Sequence, residues 1–375
     1  MNEVDLSLIS YPCPSPLEFN PNIVDPLIET ACQLPCIIQA EMVFSSSFTL
    51  HQLFLTWSIL SWISMILVIV VVVIFLSFPL GRSWPHRITI YLGIAHFWCH
   101  LTGVGGSFFN LEELLCDDRF LFQYSGWVKF QAWSIYFGAL STSCWWMVQG
   151  LTIFWNITML QPENDLMKRL EPIFHLFCWG YPLIVACILT WVPSNLASGG
   201  SPSGFPFGTA TQYSSVGLMW GLFIGVYCGF IFLNLICIST AMFRIVSTPF
   251  SDQKHHSGRR FSAELLILMF MLVFLNLIIA FIAVASYKTE HASDLEHSLV
   301  SFTNCLLTTH EPTETCHLPF TYDPFYFWYQ IITWGSFGVC FALIFLVFKI
   351  QTRQHLAQLF STSFLKSSYP SNQRL

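Results

Sequence analysis

Long runs of apolar residues separated by short polar segments dominate this chain. A helix needs about 20 mostly apolar residues to cross the hydrocarbon core of a bilayer. The run Ile66–Ile74 consists of Ile, Leu and Val alone, which no water-facing helix would display. Seven segments are long and apolar enough, and we expect their boundaries to hold to within several residues: Gln52–Phe78, Ile88–Phe108, Phe130–Met159, Ile173–Val192, Ser215–Arg244, Ser262–Tyr287 and Phe325–Phe348.

The composition supports a membrane protein. Of 375 residues, 54% are apolar and 10% are charged, whereas a soluble domain carries about 25% charged residues. The chain is therefore predicted to be an all-α, polytopic membrane protein with a bundle of seven transmembrane helices. No basic stripe is large enough to follow nucleic-acid phosphates, so we expect no nucleic-acid partner.

The Lys and Arg residues lie in alternate loops. Because cations resist translocation, the loops that hold them are expected to stay in the cytoplasm. This places the amino terminus outside and the carboxyl terminus in the cytoplasm, with 12 of the 15 cations on the inner side: Arg82, Arg87, Lys168, Arg169, Arg244, Lys254, Arg259, Arg260, Lys349, Arg353, Lys366 and Arg374.

Three regions follow from these spans. Residues 1–51 form an extracellular linker, residues 52–348 the seven-helix bundle, and residues 349–375 a short cytoplasmic tail. Met1–Ser10 has neither a basic start nor an apolar core, so we expect no cleaved signal peptide. The predicted location is the plasma membrane.

The cysteines indicate an oxidising outer face. Seven of the 13 lie in spans, where they fill space as small apolar residues. The other six fall in segments predicted to be outside, which favours disulfides over a metal site. Cys305 and Cys316 are the first expected pair, and the pairing among Cys13, Cys32, Cys36 and Cys116 has three alternatives that stay open.

The third and fourth spans carry the most specific motifs. The third reads Trp145-Trp146, then Leu151-Thr152 and Phe154, and the fourth reads Phe174-His175-Leu176, then Trp179 and Pro182. Together with Cys116-Asp117-Asp118-Arg119-Phe120 and Phe243-Arg244-Ile245, these motifs resemble the Frizzled/Smoothened family of seven-helix receptors. The resemblance covers roughly Cys32–Lys349 and implies a G-protein-coupled-receptor-like fold.

The motif residues also have a physical role of their own. Trp145, Trp146 and Trp179 are expected to pack along the bundle axis, and His175 to hydrogen-bond inside the bundle one helical turn from Trp179. Pro182 should kink its helix. With Thr152, these residues form the predicted core motif of the bundle.

Three features depart from the family pattern. Only Cys13, Cys32 and Cys36 precede the first span, so we expect the cysteine-rich outer domain of the family to be missing. Leu266 and Leu346 stand where the resemblance places a basic residue and a tryptophan that form a polar contact. The family's K-T-x-x-x-W tail motif is reduced to Lys349, so the resemblance leaves coupling to Dishevelled open.

The predicted cytoplasmic surface is basic. Its cations can fix the topology and contact anionic lipid, or they can dock a heterotrimeric G protein against the third, fifth and sixth spans. The residues assigned to this coupling surface are Arg82, Arg87, Lys168, Arg169, Arg244, Arg259, Arg260 and Lys349.

The leading hypothesis is a signalling receptor that senses a ligand in the bundle or the outer loops. The aromatic interior and the resemblance both imply a sterol or other lipid-like ligand. One alternative is an intramembrane metal-dependent hydrolase that uses His96 and His100, which lie four residues apart on one helical face. Another is a membrane scaffold without a ligand. We expect no enzyme activity and no cofactor.

Overall fold

The computed structural model describes residues 17–19, 32–33, 47–79, 81–104, 126–158, 165–191, 219–247, 290–308 and 323–348, together with positions 279, 282, 283, 286, 316, 319 and 321. Within these ranges the chain forms eight helices: α1 (Ser47–Ser77), α2 (Ile88–Val104), α3 (Gly126–Thr158), α4 (Asp165–Arg169), α5 (Glu171–Trp191), α6 (219–247), α7 (Ala292–Thr308) and α8 (324–348). Strand β1 (Glu18–Phe19) pairs antiparallel with β2 (Cys32–Gln33), and Phe19 lies opposite Cys32.

Three of the helices contain wider, π-helical turns. In α5 the turn covers Leu176–Gly180 and stands directly before Tyr181-Pro182. Proline has no N–H and its ring crowds the carbonyl four residues earlier, so a wider turn accommodates Pro182. Helix α6 begins with such a turn, Met219–Ile224, and continues as Gly225–Ser247. Helix α8 consists of Pro324–Gly335, Phe337–Ala342 and a final π-helical turn, Leu343–Phe348.

Six of the predicted spans coincide with described helices. The helices α1 and α3 begin a few residues earlier than predicted, at Ser47 and Gly126, because a helix satisfies its own backbone hydrogen bonds beyond the hydrocarbon as well as within it. The start of α8 is set by Asp323, whose carboxylate accepts a hydrogen bond from the Phe325 N–H at 2.9 Å. The sixth predicted span, Ser262–Tyr287, lies outside the described residues except for positions 279, 282, 283 and 286.

Helix α7 was not predicted. Its buried residues Ser298, Phe302 and Leu306 recur every four positions, which is the pattern of a helix with one buried face. Phe302 and Leu306 pack with Leu17 and Cys316 in a small apolar cluster of their own. Helix α7 contains no long apolar run, because only one of its faces is apolar.

Apolar side chains cover the outside of the bundle. Four helices in the described part of the chain are long and apolar enough to cross a membrane: His51–Ser77, Glu171–Trp191, Gly221–Ala241 and Pro324–Leu346. On α1, Ile59, Ile66 and Val73 each expose about half of their surface. An outward apolar face of this length belongs in lipid.

Helix α3 is the centre of the bundle. It packs against α2, α5 and α6, while α1 packs against α2 and α8. The contacts are close where glycine faces a neighbouring backbone: a Cβ on Gly138 would lie 2.6 Å from the Cys99 N of α2, and one on Gly338 would lie 2.9 Å from the Ser64 Cα of α1. Small residues therefore set the distances between helices, as in other membrane bundles.

The two ends of the bundle differ in chemistry. We call the end that carries Arg82, Arg87, Lys168 and Arg169 the basic end. The opposite end carries the bond between Cys305 and Cys316, and we call it the disulfide end.

Replacing Gly138 by alanine should destabilise the bundle. The new methyl group would meet backbone of α2, and overpacking of this kind costs about 1–3 kcal/mol. Gly229→Ala on α6 is the matched control, because nothing lies within 4 Å of its Cβ position and alanine favours a helix by about 1 kcal/mol. Thermal unfolding in nanodiscs should show a lower midpoint for the first variant and an equal or higher midpoint for the second. Equal midpoints for both variants would contradict the close α2–α3 contact.

Candidate functional site

An ion pair joins the starts of α2 and α5 at the basic end. The Arg87 guanidinium donates from Nη2 to Glu171 Oε2, and the Tyr91 hydroxyl donates to Glu171 Oε1 at 3.3 Å. Glu171 is only 8% exposed, and a buried carboxylate is costly unless it is paired and hydrogen-bonded. Its position in the first turn of α5 adds the favourable end of the helix dipole.

The polar contacts continue along α5 at four-residue spacing. Trp179 Nε1 donates to His175 Nδ1 at 3.2 Å. Since Nδ1 accepts this hydrogen bond, the neutral imidazole carries its proton on Nε2. That nitrogen lies 3.8 Å from Glu171 Oε1. One face of α5 therefore presents a carboxylate, an imidazole and an indole in sequence.

Aromatic rings enclose these polar groups. The Tyr91 ring centroid lies 4.4 Å from that of His175 and 4.7 Å from that of Trp145. Trp145 of α3 is fully buried and also contacts His175 at 5.0 Å and Trp179 at 5.8 Å. We call Arg87, Tyr91, Trp145, Glu171, His175 and Trp179 the basic-end cluster; it joins α2, α3 and α5.

The chemistry of the basic-end cluster is that of a contact between helices. The carboxylate bonds to the guanidinium and the phenol, and the imidazole bonds to the indole. In a low-dielectric setting such bonds are strong when made and costly to leave unmade. Separating α2 from α5 would break the Arg87–Glu171 ion pair and leave each charge without its partner.

The remaining residues of the predicted core motif, Trp146, Thr152 and Pro182, lie outside the basic-end cluster. Trp146, next to Trp145 on α3, contacts His96 of α2 and Phe341 and Phe345 of α8. The Thr152 hydroxyl donates to the Val148 carbonyl of its own helix at 2.7 Å. Pro182 is buried after the π-helical turn of α5. The two adjacent tryptophans thus pack on two different sides of α3.

The predicted coupling cations divide into two groups. Arg87 belongs to the basic-end cluster, whereas Arg82, Lys168, Arg169 and Arg244 have exposed side chains. Arg259, Arg260 and Lys349 lie outside the described residues, as does Leu266. Leu346, the other position of the altered family contact, packs against the core.

His96 and His100 lie side by side in the core of α2. Their rings are nearly parallel with centroids 6.4 Å apart, and His96 contacts Phe337 and Phe341 of α8 at 4.4 and 4.9 Å. Within the described ranges, no group of three His, Cys, Asp or Glu side chains could hold a metal ion. Catalytic zinc needs three protein ligands, whereas the described neighbours of this pair include the aromatic rings of Phe337 and Phe341.

The predicted outer cysteines are described only in part. Cys305 and Cys316 form a disulfide with 5.9 Å between their Cα atoms, and this bond ties α7 to the chain before α8. Cys32 lies on β2. Cys13, Cys36 and Cys116 lie outside the described residues, so the remaining pairing stays a prediction.

The role of Glu171 was not predicted, and none of the predicted site residues is acidic. The spacing Glu171, His175, Trp179 was the available signal, since residues four apart share a helical face. The partner Arg87 could not be inferred, because it comes from a different helix.

Comparison with known families agrees with this architecture. The family model described as the Frizzled/Smoothened family membrane region matches residues 45–363, which includes every transmembrane helix of the structure. A comparison with curated proteins gave no match. The match spans most of the chain, including Trp145, His175 and Trp179. The chain belongs to the Frizzled/Smoothened family, and its fold is a seven-helix membrane bundle.

Proposed function

We propose that this protein is a signalling receptor that passes a ligand-dependent helix rearrangement across the plasma membrane. In this proposal residues 1–51 and the disulfide end are extracellular, residues 52–348 form the bundle, and the basic end and residues 349–375 are cytoplasmic. A heterotrimeric G protein binds the basic end. The ligand is a sterol or other lipid-like molecule, in keeping with the aromatic core.

One observation carries the proposal: the same helices separate the exposed cations from the disulfide. Arg82, Lys168 and Arg169 are exposed at one end, and Cys305 and Cys316 are bonded at the other. Cations mark the cytoplasmic side of membrane proteins, and disulfides persist in oxidising compartments. These two independent rules give the same orientation, and membership of a receptor family supports signalling between the two ends.

The contact between α3 and α6 supports a helix rearrangement. Near the disulfide end, the Tyr181 hydroxyl of α5 donates to the Leu222 carbonyl of α6 at 2.8 Å, and Tyr136 packs on Phe223 at 4.9 Å. In the middle of α6, Asn234 is fully buried against Gly150 of α3. A polar side chain buried between two helices in a membrane is costly and is often functional. The contact at Asn234 is therefore where a rearrangement of α6 would be sensed by α3.

The orientation can be tested with two epitope tags. A tag at Met1 should be accessible to antibody on intact cells, and a tag at Leu375 only after the plasma membrane is permeabilised. The physical reason is the retention of the basic loops in the cytoplasm. Labelling of both tags under the same condition would contradict the proposed orientation.

Recruitment of an engineered G-protein α subunit to the membrane tests the signalling role. Resonance energy transfer should report recruitment, and the combined change Arg244→Gln and Arg259→Gln should weaken it about tenfold, since each 1.4 kcal/mol of lost charge interaction is a factor of ten. Arg119→Gln, at the other end by the proposed orientation, is the control and should leave recruitment unchanged. Recruitment that is unchanged by the Arg244 and Arg259 substitutions, as it is by the Arg119 control, would contradict docking at the basic end. Constitutive recruitment that sterols do not change would favour a scaffold.

The basic-end cluster should be energetically coupled. Arg87→Gln or Glu171→Gln leaves the other charge unpaired, so each variant should lower the free energy of unfolding by about 1–3 kcal/mol. The double variant should lose less than the sum of the two, because residues in one network are not additive. Glu290→Gln, an exposed position, is the control for loss of a carboxylate. Thermal unfolding in nanodiscs gives the comparison, and additive losses would exclude a coupled pair.

A further inference from the structure

Three exposed cations gather beside the basic-end cluster. Trp84 stacks on Phe174 with ring centroids 6.4 Å apart, and Arg87 pairs with Glu171. These contacts hold the loop before α2 against the start of α5. Arg82 precedes Trp84 by two residues, and Lys168 and Arg169 precede Glu171 by three and two. Since a residue spans at most about 3.6 Å of chain, all three lie within a short distance of the same contact.

These cations differ from Arg87 in having no ion-pair partner among the described residues. The charge of Arg87 is compensated by Glu171. For Arg82, Lys168 and Arg169, no acidic side chain in the described part of the chain lies at ion-pair distance. Asp165, at the start of α4, contributes one negative charge to the neighbourhood. The described part of this surface therefore carries a net positive charge that can attract an anion.

Apolar side chains lie next to the cations on the outside of α4 and α5. Leu166 and Ile173 expose about half of their surface, and Leu176 exposes 75%. Residues 173 and 176 continue α5 away from the basic end, toward the middle of the membrane. The order along the surface is thus charge first and apolar contact second, which matches the headgroup and acyl chains of a phospholipid.

We propose that Arg82, Lys168 and Arg169 form a binding site for the headgroup of an anionic phospholipid, whose acyl chain packs on Ile173 and Leu176. The site is built by the Trp84–Phe174 and Arg87–Glu171 contacts, which bring the two chain segments together. Arginine binds phosphate oxygens through a planar fork of donors and lysine as a point charge. The proposal rests on the proposed function for one point only: the cytoplasmic leaflet, where anionic lipids are enriched, must be the leaflet at the basic end.

A surface with cations at one end and apolar side chains beside them should bind a lipid more tightly than a soluble anion. A free headgroup would gain the charge contacts but none of the apolar contact along α5. Each buried CH₂ of an acyl chain adds favourable transfer free energy. A phospholipid should therefore bind this surface in preference to its own water-soluble headgroup.

The test is lipid retention by the full-length protein. The protein is placed in nanodiscs of phosphatidylcholine mixed with phosphatidylserine and extracted into mild detergent, and the retained lipids are quantified by mass spectrometry. The combined variant Arg82→Gln, Lys168→Gln and Arg169→Gln should reduce retained phosphatidylserine at least about tenfold, because each cation near an anionic headgroup contributes about a fivefold factor. Phosphatidylcholine retention should not change.

The matched control removes the same charge elsewhere. Arg353→Gln, Lys366→Gln and Arg374→Gln also remove three cations, but from the tail, and should leave phosphatidylserine retention unchanged. Excess glycerophosphoserine, the headgroup without acyl chains, should not displace the lipid. Equal losses in both triple variants, or displacement by glycerophosphoserine, would overturn the site.

Retention in nanodiscs does not depend on orientation in the cell. A failed lipid result with correctly placed tags would refute the lipid site alone. Reversed tags with intact, variant-sensitive retention would refute the proposed orientation, and with it occupancy of the site in the cell, but would leave the lipid-binding surface itself confirmed. Unchanged thermal unfolding of both triple variants shows that the exposed substitutions leave the fold intact.

Discussion

The structure depends on how a chain satisfies its polar groups inside an apolar solvent. Helices solve the problem for the backbone, and three described side chains add hydrogen bonds of their own: Ser64 donates to the Gly335 carbonyl, Ser58 to the Gly103 carbonyl at 2.8 Å, and Gln131 to the Thr102 carbonyl at 2.9 Å. Each bond joins two neighbouring helices. Buried polar residues therefore join neighbouring helices within a core that is mostly aromatic and aliphatic, and further Ile, Leu and Val residues face lipid.

The central position of α3 follows from its sequence. Ser134, Ser141, Thr142 and Ser143 are buried and small, so α2, α5 and α6 can approach it closely. Trp145 and Trp146 are large and lie about 100° apart around the helix, since an α-helix has 3.6 residues per turn. One indole joins the basic-end cluster and the other packs against α8. A change in the position of α3 would thus alter contacts on two sides of the bundle, in the basic-end cluster and against α8.

The sequence predicted what depends on local pattern and missed what depends on pairing between distant segments. The apolar runs gave six described helices, and the spacing of His175 and Trp179 placed both on one helical face, where the structure shows a hydrogen bond between them. The amphipathic helix α7 was missed because its apolar face is narrow. The partners Arg87 and Glu171 are 84 positions apart, and a single sequence holds no sign that they meet. The position of Trp84 against Phe174 was hidden for the same reason.

Asn234 places a polar side chain in the contact between α3 and α6. It is fully buried in the middle of α6, directly against Gly150 of α3. The Tyr181–Leu222 hydrogen bond joins α6 to α5 nearer its first turn. A ligand shifts two conformations only by its difference in affinity for them. Because an amide in an apolar medium is costly without a hydrogen-bond partner, any conformation that separates α6 from α3 must give Asn234 a polar partner. The position of this one residue therefore limits which rearrangements of α6 are accessible.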